Sequence, residues 1–190
     1  MNIIGLAGSP RRGGNTEILL DESLLGAASN GATGEKIIVS ELNISPCRSC
    51  NKCLKTGECV IKDDMQILYR KFMDTDRIIV ASPIYFQGVT AQIKALIDRC
   101  QALWSRRYIL KIPIKDRGIK RIGATIFAGG QKNLLRNFDG AEMTVGSFFR
   151  VLYMEYNYRL NFGGIDSKGT IKKHPEAIKQ AYDIGVILAK

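Results

Sequence analysis

The apolar positions of the chain fall into short continuous runs that alternate with stripes of helical spacing. Short apolar runs bounded by Gly, Pro or Asp are typical of buried strands, and i, i+3, i+4 stripes are typical of helices. The predicted strands are Asn2–Ala7, Lys36–Leu42, Arg77–Ala81, Arg121–Phe127 and Met154–Leu160. The first predicted helix begins at Asn15 or Thr16. The other predicted helices cover Asp63–Met73, Thr90–Trp104, Leu134–Val151 and Pro175–Leu188.

Strands that alternate with helices predict βαβ units and a parallel sheet. Five strands fit a three-layer, doubly wound α/β fold with strand order 2-1-3-4-5, and the chain shows no linker or repeat, so we expect one domain over residues 1–190. In such folds ligands bind outside the carboxyl ends of the strands, at the switch point between strands 1 and 3. The loops after strands 1, 3 and 4 are therefore the candidate binding loops.

Composition and charge narrow the class of protein. Hydrophobic residues make up 45% and charged residues 24%, which are ordinary globular values. No apolar run approaches the roughly 18 residues that span a bilayer, and residues 1–5 do not resemble a signal peptide, so we expect a cytoplasmic protein with no membrane contact. The net charge is +10, and the bases concentrate in residues 105–121. This segment could attract an acidic protein or a phosphate, or it could be a solvated loop. No sequence motif for reading nucleic acid accompanies it, which disfavours a nucleic-acid partner.

The loop after strand 1, GSPRRGGNT at residues 8–16, combines glycines with polar donors at a helix start. Such a loop is typical of phosphate binding. Gly5 and Gly8 do not fit a dinucleotide fingerprint, and Gly14-Asn15 stands where a nucleoside triphosphatase loop needs Lys-Ser/Thr. A monophosphate without Mg²⁺, such as that of FMN, remains, although a plain glycine-rich turn is the alternative. The candidate phosphate residues are Ser9, Arg11, Gly14, Asn15 and Thr16.

The loop after strand 3, residues 82–88, places aromatic residues between a proline and a glycine. A flavin ring needs a backbone wall and rings to stack on, although either ring alone could belong to the core. The turn after strand 4 could approach the other side of the ring. The candidate flavin contacts are Pro83, Ile84, Tyr85, Phe86, Gly88, Ala128, Gly129 and Gly130.

Together, GSPRRGGNT and SPIYFQGVTAQIKALIDR resemble the NADPH-dependent FMN reductase superfamily over about residues 1–130. Within it, the cysteine loop followed by VIKDDM at residues 60–65 is similar to the iron–sulfur flavoproteins of anaerobic archaea and bacteria. The resemblance implies a flavodoxin-like fold, bound FMN and a [4Fe-4S] cluster. It also implies a ferredoxin or NAD(P)H as electron donor, and a homo-oligomer, either a dimer or a tetramer.

Four cysteines lie in the predicted loop 43–62 as Cys47-x2-Cys50-x2-Cys53-x5-Cys59. Closely spaced cysteines of this kind are a recurring way to hold an iron–sulfur cluster. Zinc is the rival ligand, although four-cysteine zinc sites usually use two pairs about 15–20 residues apart. Free thiols are the third alternative. Arg48, Lys52 and Lys55 would offset the negative charge of a tetrathiolate cluster.

The remaining candidates are better explained structurally. Cys100 continues an apolar helical stripe and is predicted to be core, and His174 is predicted to lie at a helix start. Asp63 and Asp64 are predicted to be first-turn helix charges, so no side chain is assigned as catalytic.

The sequence therefore predicts an oxidoreductase that carries FMN and a [4Fe-4S] cluster and passes electrons from a reduced donor to a small-molecule or protein acceptor. Two alternatives remain. One is an NAD(P)H-dependent FMN or quinone reductase without a cluster, and the other is a redox-sensing nucleic-acid-binding protein.

Overall fold

The computed structural model describes residues 1–132 and 135–190 as an α/β fold built on one parallel sheet. The sheet has the order β2-β1-β3-β4-β5, and all its pairings are parallel. The strands are β1 (Asn2–Ala7), β2 (Thr33–Ile38), β3 (Arg77–Pro83), β4 (Ile122–Gly129) and β5 (Glu155–Gly163). The predicted fold class and strand order are confirmed.

Seven α-helices connect or flank the strands in the described residues. They are α1 (Asn15–Ser29), α2 (Cys53–Thr56), α3 (Met65–Asp74), α4 (Ala91–Arg99), α5 (Gln101–Trp104), α6 (Asp139–Val151) and α7 (Pro175–Leu188). A π-helical turn, Ser105–Ile109, continues α5, and short 3-10 turns cover Val39–Glu41 and Thr170–Lys173.

Alternate residues of each buried strand face opposite layers, as the two-residue repeat of a strand requires. Ile4 and Ile78 pack with α3, α4 and α6 on one face of the sheet. Ile3 and Ile79, one position away in each strand, pack with α1 and α7 on the other face. The central strands are therefore apolar on both sides, which explains why they appear in the sequence as continuous runs.

Helices α1 and α7 approach each other closely at two glycines. A Cβ on Gly26 would overlap the carbonyl oxygen of Tyr182, and a Cβ on Gly185 would overlap the carbonyl oxygen of Ser23. The hydroxyl of Ser23 donates to Ala181 O across the same contact, at 2.7 Å. This layer therefore depends on residues without side chains where the helix backbones meet.

Several predicted strand boundaries were wrong by a few residues. Strand β2 begins at Thr33 rather than Lys36, because Thr33–Ile38 pairs residue by residue with β1, and residues 39–41 then turn away as a 3-10 helix. Strands β3 and β4 run to Pro83 and Gly129, since Ser82 and Pro83 pair with Phe127 and Ala128. Strand β5 covers Glu155–Gly163 rather than residues 154–160, because pairing with β4 continues to Gly129.

The predicted helices also differ at their ends. The predicted Thr90–Trp104 helix breaks at Cys100, whose backbone leaves helical geometry, and Thr90 caps α4 by accepting a hydrogen bond from the Ile93 amide. The predicted 134–151 helix begins only at Asp139, after turn residues 135–138 in which Arg136 has a φ of 61°. Its predicted first residue, Leu134, lies outside the described residues.

Cys100 and His174 have the predicted positions. Cys100 is buried among apolar side chains, and burial raises the pKa of its thiol well above the ordinary value. His174 is exposed and immediately precedes α7.

The basic segment 105–121 does not form one free patch. Arg117 pairs with Asp76 at 3.2 Å and Lys120 with Glu155 at 2.8 Å, while Arg121 donates to backbone carbonyls that include Thr75 O. These contacts lie where β3, β4 and β5 begin, at the opposite edge from the predicted binding loops. Much of the basic charge therefore closes the amino edge of the sheet.

Among residues 1–132 and 135–190, no helix combines the length and apolar character that crossing a membrane requires.

Candidate functional site

A cleft opens at the carboxyl edge of the sheet, between the loops that follow β1, β3, β4 and β5. All five predicted phosphate residues and six of the eight predicted flavin contacts line it. The lining residues are Ser9, Arg11, Gly14, Asn15, Thr16, Pro83, Ile84, Tyr85, Ala128, Gly129, Gly130, Ile165 and Asp166. Phe86 and Gly88 are not among them, and Ile165 and Asp166 were not predicted.

The loop after β1 is held by its own hydrogen bonds. The hydroxyl of Ser9 accepts from the Arg11 amide at 3.1 Å, and the Gly14 amide donates to Arg11 O at 3.2 Å. A Cβ on Gly14 would stand 2.9 Å from Arg11 O, so this close turn favours glycine. Gly14 precedes α1 and no side chain caps the helix, which leaves the first amides of a 15-residue helix directed at the cleft end.

A buried carboxylate fixes the far side of the same loop. Glu17 accepts from the Gly13 amide at 2.7 Å and pairs with Lys36 at 3.0 Å and with Arg12 at 3.3 Å. Burial alone would raise the pKa of Glu17, but the hydrogen bonds from Lys36 and Gly13 and the two cationic charges hold it below its ordinary value. Because Arg12 is engaged here and by Glu41, Arg11 is the arginine of this loop that faces the cleft.

Asn15 lines the cleft, and its side chain also holds a distant loop. Its amide group donates to Ser167 O at 2.9 Å, and its carbonyl oxygen accepts from the Ile171 amide at 3.2 Å. Both polar ends of the side chain therefore hold the loop that follows β5. The loop after β5 places the side chain of Lys168 beside the loop after β1. The Nζ atom of Lys168 lies 3.7 Å from the position that a Cβ on Gly13 would occupy.

The loop after β3 closes in a tight turn. Tyr85 and Gly88 exchange backbone hydrogen bonds of 3.0 Å each, and the residues between them, Phe86 and Gln87, have φ values of 49° and 61°. Left-handed conformations at both central positions are costly for residues other than Gly, Asn and Asp. The turn aims Tyr85 at the cleft and leaves the ring of Phe86 fully exposed, at 106% of its reference area.

Glycine also shapes the cleft wall that β4 contributes. A Cβ on Gly129 would stand 3.1 Å from the side-chain nitrogen Nδ2 of Asn137 and 3.4 Å from the side chain of Ile84. That Asn137 nitrogen is buried and has no hydrogen-bond partner in the part of the chain that the structure describes. An unsatisfied buried donor of this kind is costly.

The four loop cysteines line a second pocket. Cys47 and Cys50 are exposed, whereas Cys53 and Cys59 are partly buried against the core. Ser49 and Asn51 flank Cys50 and have left-handed backbone conformations, with φ values of 50° and 59°. Within residues 1–132 and 135–190 no three metal-binding side chains converge closely enough to hold an ion as they stand. Four cysteine thiolates are suitable ligands for a metal ion or an iron–sulfur cluster. The four sulfur atoms would have to move closer together to bind it.

A buried ion pair joins the two ends of the cysteine loop. Arg99 contacts Asp63 through two hydrogen bonds of 2.6 and 3.0 Å, and neither side chain is more than 4% exposed. Arg99 also donates to Ser45 O at 2.7 Å, before the first cysteine, and to Ile61 O at 3.3 Å, after the last one. The loop is therefore closed at its base by one guanidinium.

Asp63 has more partners than a first-turn helix charge, so that prediction is corrected. It also accepts from the Ser45 and Met65 amides. Helix α3 begins at Met65, after both aspartates, and Asp64 accepts from the Asn43 amide at 2.7 Å. Burial raises the pKa of Asp63, but the Arg99 guanidinium and the two amides outweigh burial and hold it below the ordinary value.

The two sites together are typical of a redox flavoprotein: one is a cleft at the switch point of a doubly wound sheet, and the other is a pocket lined by four cysteines. The family model described as NADPH-dependent FMN reductase matches residues 1–148. The chain belongs to this family, and it is accordingly an FMN-dependent oxidoreductase.

Individual relatives agree with this assignment. An iron–sulfur flavoprotein of Methanosarcina thermophila is 33% identical over 169 residues, which cover 87% of this chain and 82% of that one. An iron–sulfur flavoprotein of Methanocaldococcus jannaschii is 38% identical over 136 residues, covering 72% and 68%. Among solved structures, a flavone reductase superposes with a TM-score of 0.76 at 22% identity. This chain is covered completely and spans 62% of that chain, which shows the shared fold.

Proposed function

We propose that the protein holds FMN in the carboxyl-edge cleft and a [4Fe-4S] cluster in the cysteine loop, and that it carries electrons from a reduced donor to an acceptor. The observation that carries the proposal is that the predicted flavin residues, all but Phe86 and Gly88, line one cleft, while all four cysteines line another pocket. When bound, the flavin exchanges two electrons or one and the cluster exchanges one.

At the phosphate end of the cleft, the uncapped start of α1, Ser9, Thr16 and Arg11 would hold the FMN phosphate. Asn15 would contribute by holding the loop after β5 in place, and that loop would bring the ammonium of Lys168 to the phosphate. Pro83, Ile84 and Tyr85 on one side and Ala128, Gly129 and Gly130 on the other would border the flavin ring.

In the second pocket Cys47, Cys50, Cys53 and Cys59 would supply the cluster thiolates. The pocket is also lined by the cationic side chain of Arg48, which would offset the negative charge of the cluster. Since the two loop ends are already joined through Arg99, only the segment between them needs to rearrange around a cluster.

Anaerobic purification tests both cofactors together. We expect flavin absorption bands over a broad iron–sulfur shoulder, with about four iron and four acid-labile sulfide atoms per chain. A yellow protein without iron or sulfide would reject the cluster, and a colourless protein that takes up neither group on reconstitution would reject the whole proposal.

The second candidate is an NAD(P)H-dependent FMN or quinone reductase without a cluster, whose cysteines hold zinc or stay free. It is favoured by the spread of the cysteine side chains in the described residues. Metal analysis separates the two candidates, because zinc or no metal, together with NAD(P)H-driven turnover by the yellow protein, supports the second. The alternative of a nucleic-acid-binding protein loses support, because several basic side chains of the 105–121 segment form contacts within the fold.

A docking role remains for the part of the basic segment beside the cysteine loop. Arg106 packs on Gly57, and it lines a pocket with Cys59, Lys62 and Arg70. This position suits an acidic ferredoxin or a nucleotide phosphate.

Charge reversal tests this docking role. We expect replacement of Arg106, Arg107 and Lys111 by Glu to slow reduction by an acidic donor at low salt. Arg107 stacks on the ring of Tyr153 at 3.8 Å, so a double variant of Arg106 and Lys111 serves as a check that leaves this contact intact. Unchanged reduction rates at low salt would reject the docking role.

A homo-oligomer, either a dimer or a tetramer, is part of the proposal. The fully exposed ring of Phe86 at the cleft edge is a suitable contact for a second copy, and a cluster of one subunit would then serve the flavin of another. Light scattering of the wild type and of Phe86→Ser measures this, and a monomeric wild type would contradict it.

A further inference from the structure

The hydroxyl of Ser105 contacts one of the cysteines of the second pocket. Ser105 is fully buried, and its Oγ lies 3.7 Å from Sγ of Cys53 in hydrogen-bonding geometry. The π-helical turn that begins at Ser105 packs directly against α2, the one-turn helix that begins at Cys53. The contact between Ser105 and Cys53 therefore joins the π-helical turn to α2 within the cysteine loop.

This hydroxyl is used differently from those of other helical serines. A serine in a helix commonly donates back to the carbonyl four residues earlier, as Ser23 does to Leu19 O at 3.1 Å and Ser147 does to Met143 O at 3.0 Å. Among the described residues, the hydroxyl of Ser105 has Cys53 Sγ as its hydrogen-bond partner. The carbonyl of Ser105 accepts from the Leu110 amide five residues on, and such π-turns are frequent at functional sites.

We infer that Ser105 is a positioning residue of the cluster, whose O–H donates to the Cys53 thiolate and raises the reduction potential. The inference rests on the cluster of the proposed function. A hydrogen bond to a ligand sulfur stabilises the more negative, reduced state of an iron–sulfur cluster, so losing the bond lowers the potential. The side chain supplies no ligand and reacts with nothing, so cluster content does not depend on it.

The test is an anaerobic redox titration of the holoprotein followed by electron paramagnetic resonance, with iron and sulfide measured in every sample. We expect a more negative cluster potential in Ser105→Ala and Ser105→Gly, with wild-type iron and sulfide. Ser105→Thr keeps an O–H and is expected to stay near the wild-type potential. Ser23→Ala, a buried helical serine in α1 on the other face of the sheet, serves as the matched control and is expected to leave the potential unchanged.

Two results would overturn the inference. One is an unchanged potential in both hydroxyl-free variants at full cluster content. The other is loss of the cluster in both of them while Ser105→Thr retains it, because the serine would then be needed for assembly rather than for tuning. A wild type without iron and sulfide is a separate outcome, since it removes the proposed cluster before any variant is compared.

Discussion

At the scale of single residues, the phosphate end of the cleft is completed from a distant part of the chain. Asn15 holds residues 167 and 171 on either side of Lys168, and the ammonium of Lys168 has no ion pair among the described residues. An unpaired ammonium near the uncapped start of a helix attracts a phosphate dianion. Lys168 therefore belongs with Arg11 in the proposed phosphate site.

We expect Lys168→Gln to raise the dissociation constant for FMN several-fold while leaving that for riboflavin unchanged, because riboflavin lacks the phosphate. Flavin fluorescence titration of the apoprotein measures both constants. Lys172→Gln, at an exposed position of the neighbouring turn, is the control, and equal weakening of FMN and riboflavin would contradict the assignment.

The sequence identified most residues of the cleft but not how they act. Ser9, Arg11 and Thr16 could be found because they adjoin a glycine-rich loop at a helix start. The contacts of Asn15 with the loop after β5 could not be predicted, since its partners lie 152 and 156 positions away and no local pattern indicates such a contact. Ile165, Asp166 and Lys168 were missed for the same reason.

The buried pair of Asp63 and Arg99 gives a stability prediction. Asp63→Asn leaves a buried guanidinium without its counter-charge, which is expected to cost about 3–5 kcal/mol in the free energy of unfolding. Urea denaturation measures this cost. Asp98→Asn breaks the exposed pair with Lys94 and is expected to cost less than about 1 kcal/mol, so similar losses in the two variants would be the contrary result.

At the scale of elements, periodicity predicted every strand, and the alternation of five strands with helices fitted the observed strand order, but neither showed where each element ends. The end of β2 depends on its pairing with β1, a tertiary effect that overrides local propensity. The long helix breaks at Cys100, where the backbone leaves helical geometry. The close contact of α1 and α7 was likewise invisible, since Gly26 and Gly185 look unfavourable within helices until the partner backbone is known.

Gly185→Ala is therefore expected to destabilise the fold although alanine is the better helix former. The added methyl group meets the Ser23 carbonyl, and overpacking of this kind costs about 1–3 kcal/mol. Gly146→Ala in α6, where the nearest atom lies at an ordinary 3.4 Å, should instead gain up to about 1 kcal/mol. Thermal unfolding of both variants decides, and a melting temperature for Gly185→Ala at or above that of the wild type would contradict the packing argument.

At the scale of the whole molecule, the chain has a net charge of +10, and two of its carboxylates are held in buried or partly buried ion pairs. Glu17 joins the loop after β1 to β2 through Lys36, and Asp63 joins the two ends of the cysteine loop through Arg99. Both carboxylates have native pKa values below their ordinary ones. Stability from these pairs is fully present above about pH 4.5 and is lost as the pH falls through the native pKa values.

We expect the urea midpoint to fall steeply below about pH 4.5, because the unfolded chain then binds more protons than the folded one. Glu17→Gln should be less stable than the wild type at pH 7 and should show a shallower decline in acid. Urea titrations between pH 7 and pH 3 measure both effects. Parallel curves for the variant and the wild type would show that Glu17 does not contribute to the acid transition.

The guanidinium that joins Ser45 to Ile61 also has a consequence for maintenance of the protein. Residues 46–60 lie between the two joined positions and contribute α2 but no strand of the sheet, so this segment can rearrange while the ends of the loop stay joined through Arg99. In the proposed holoprotein, a cluster lost to oxygen is therefore expected to be rebuilt in the folded molecule, without a return to the unfolded chain.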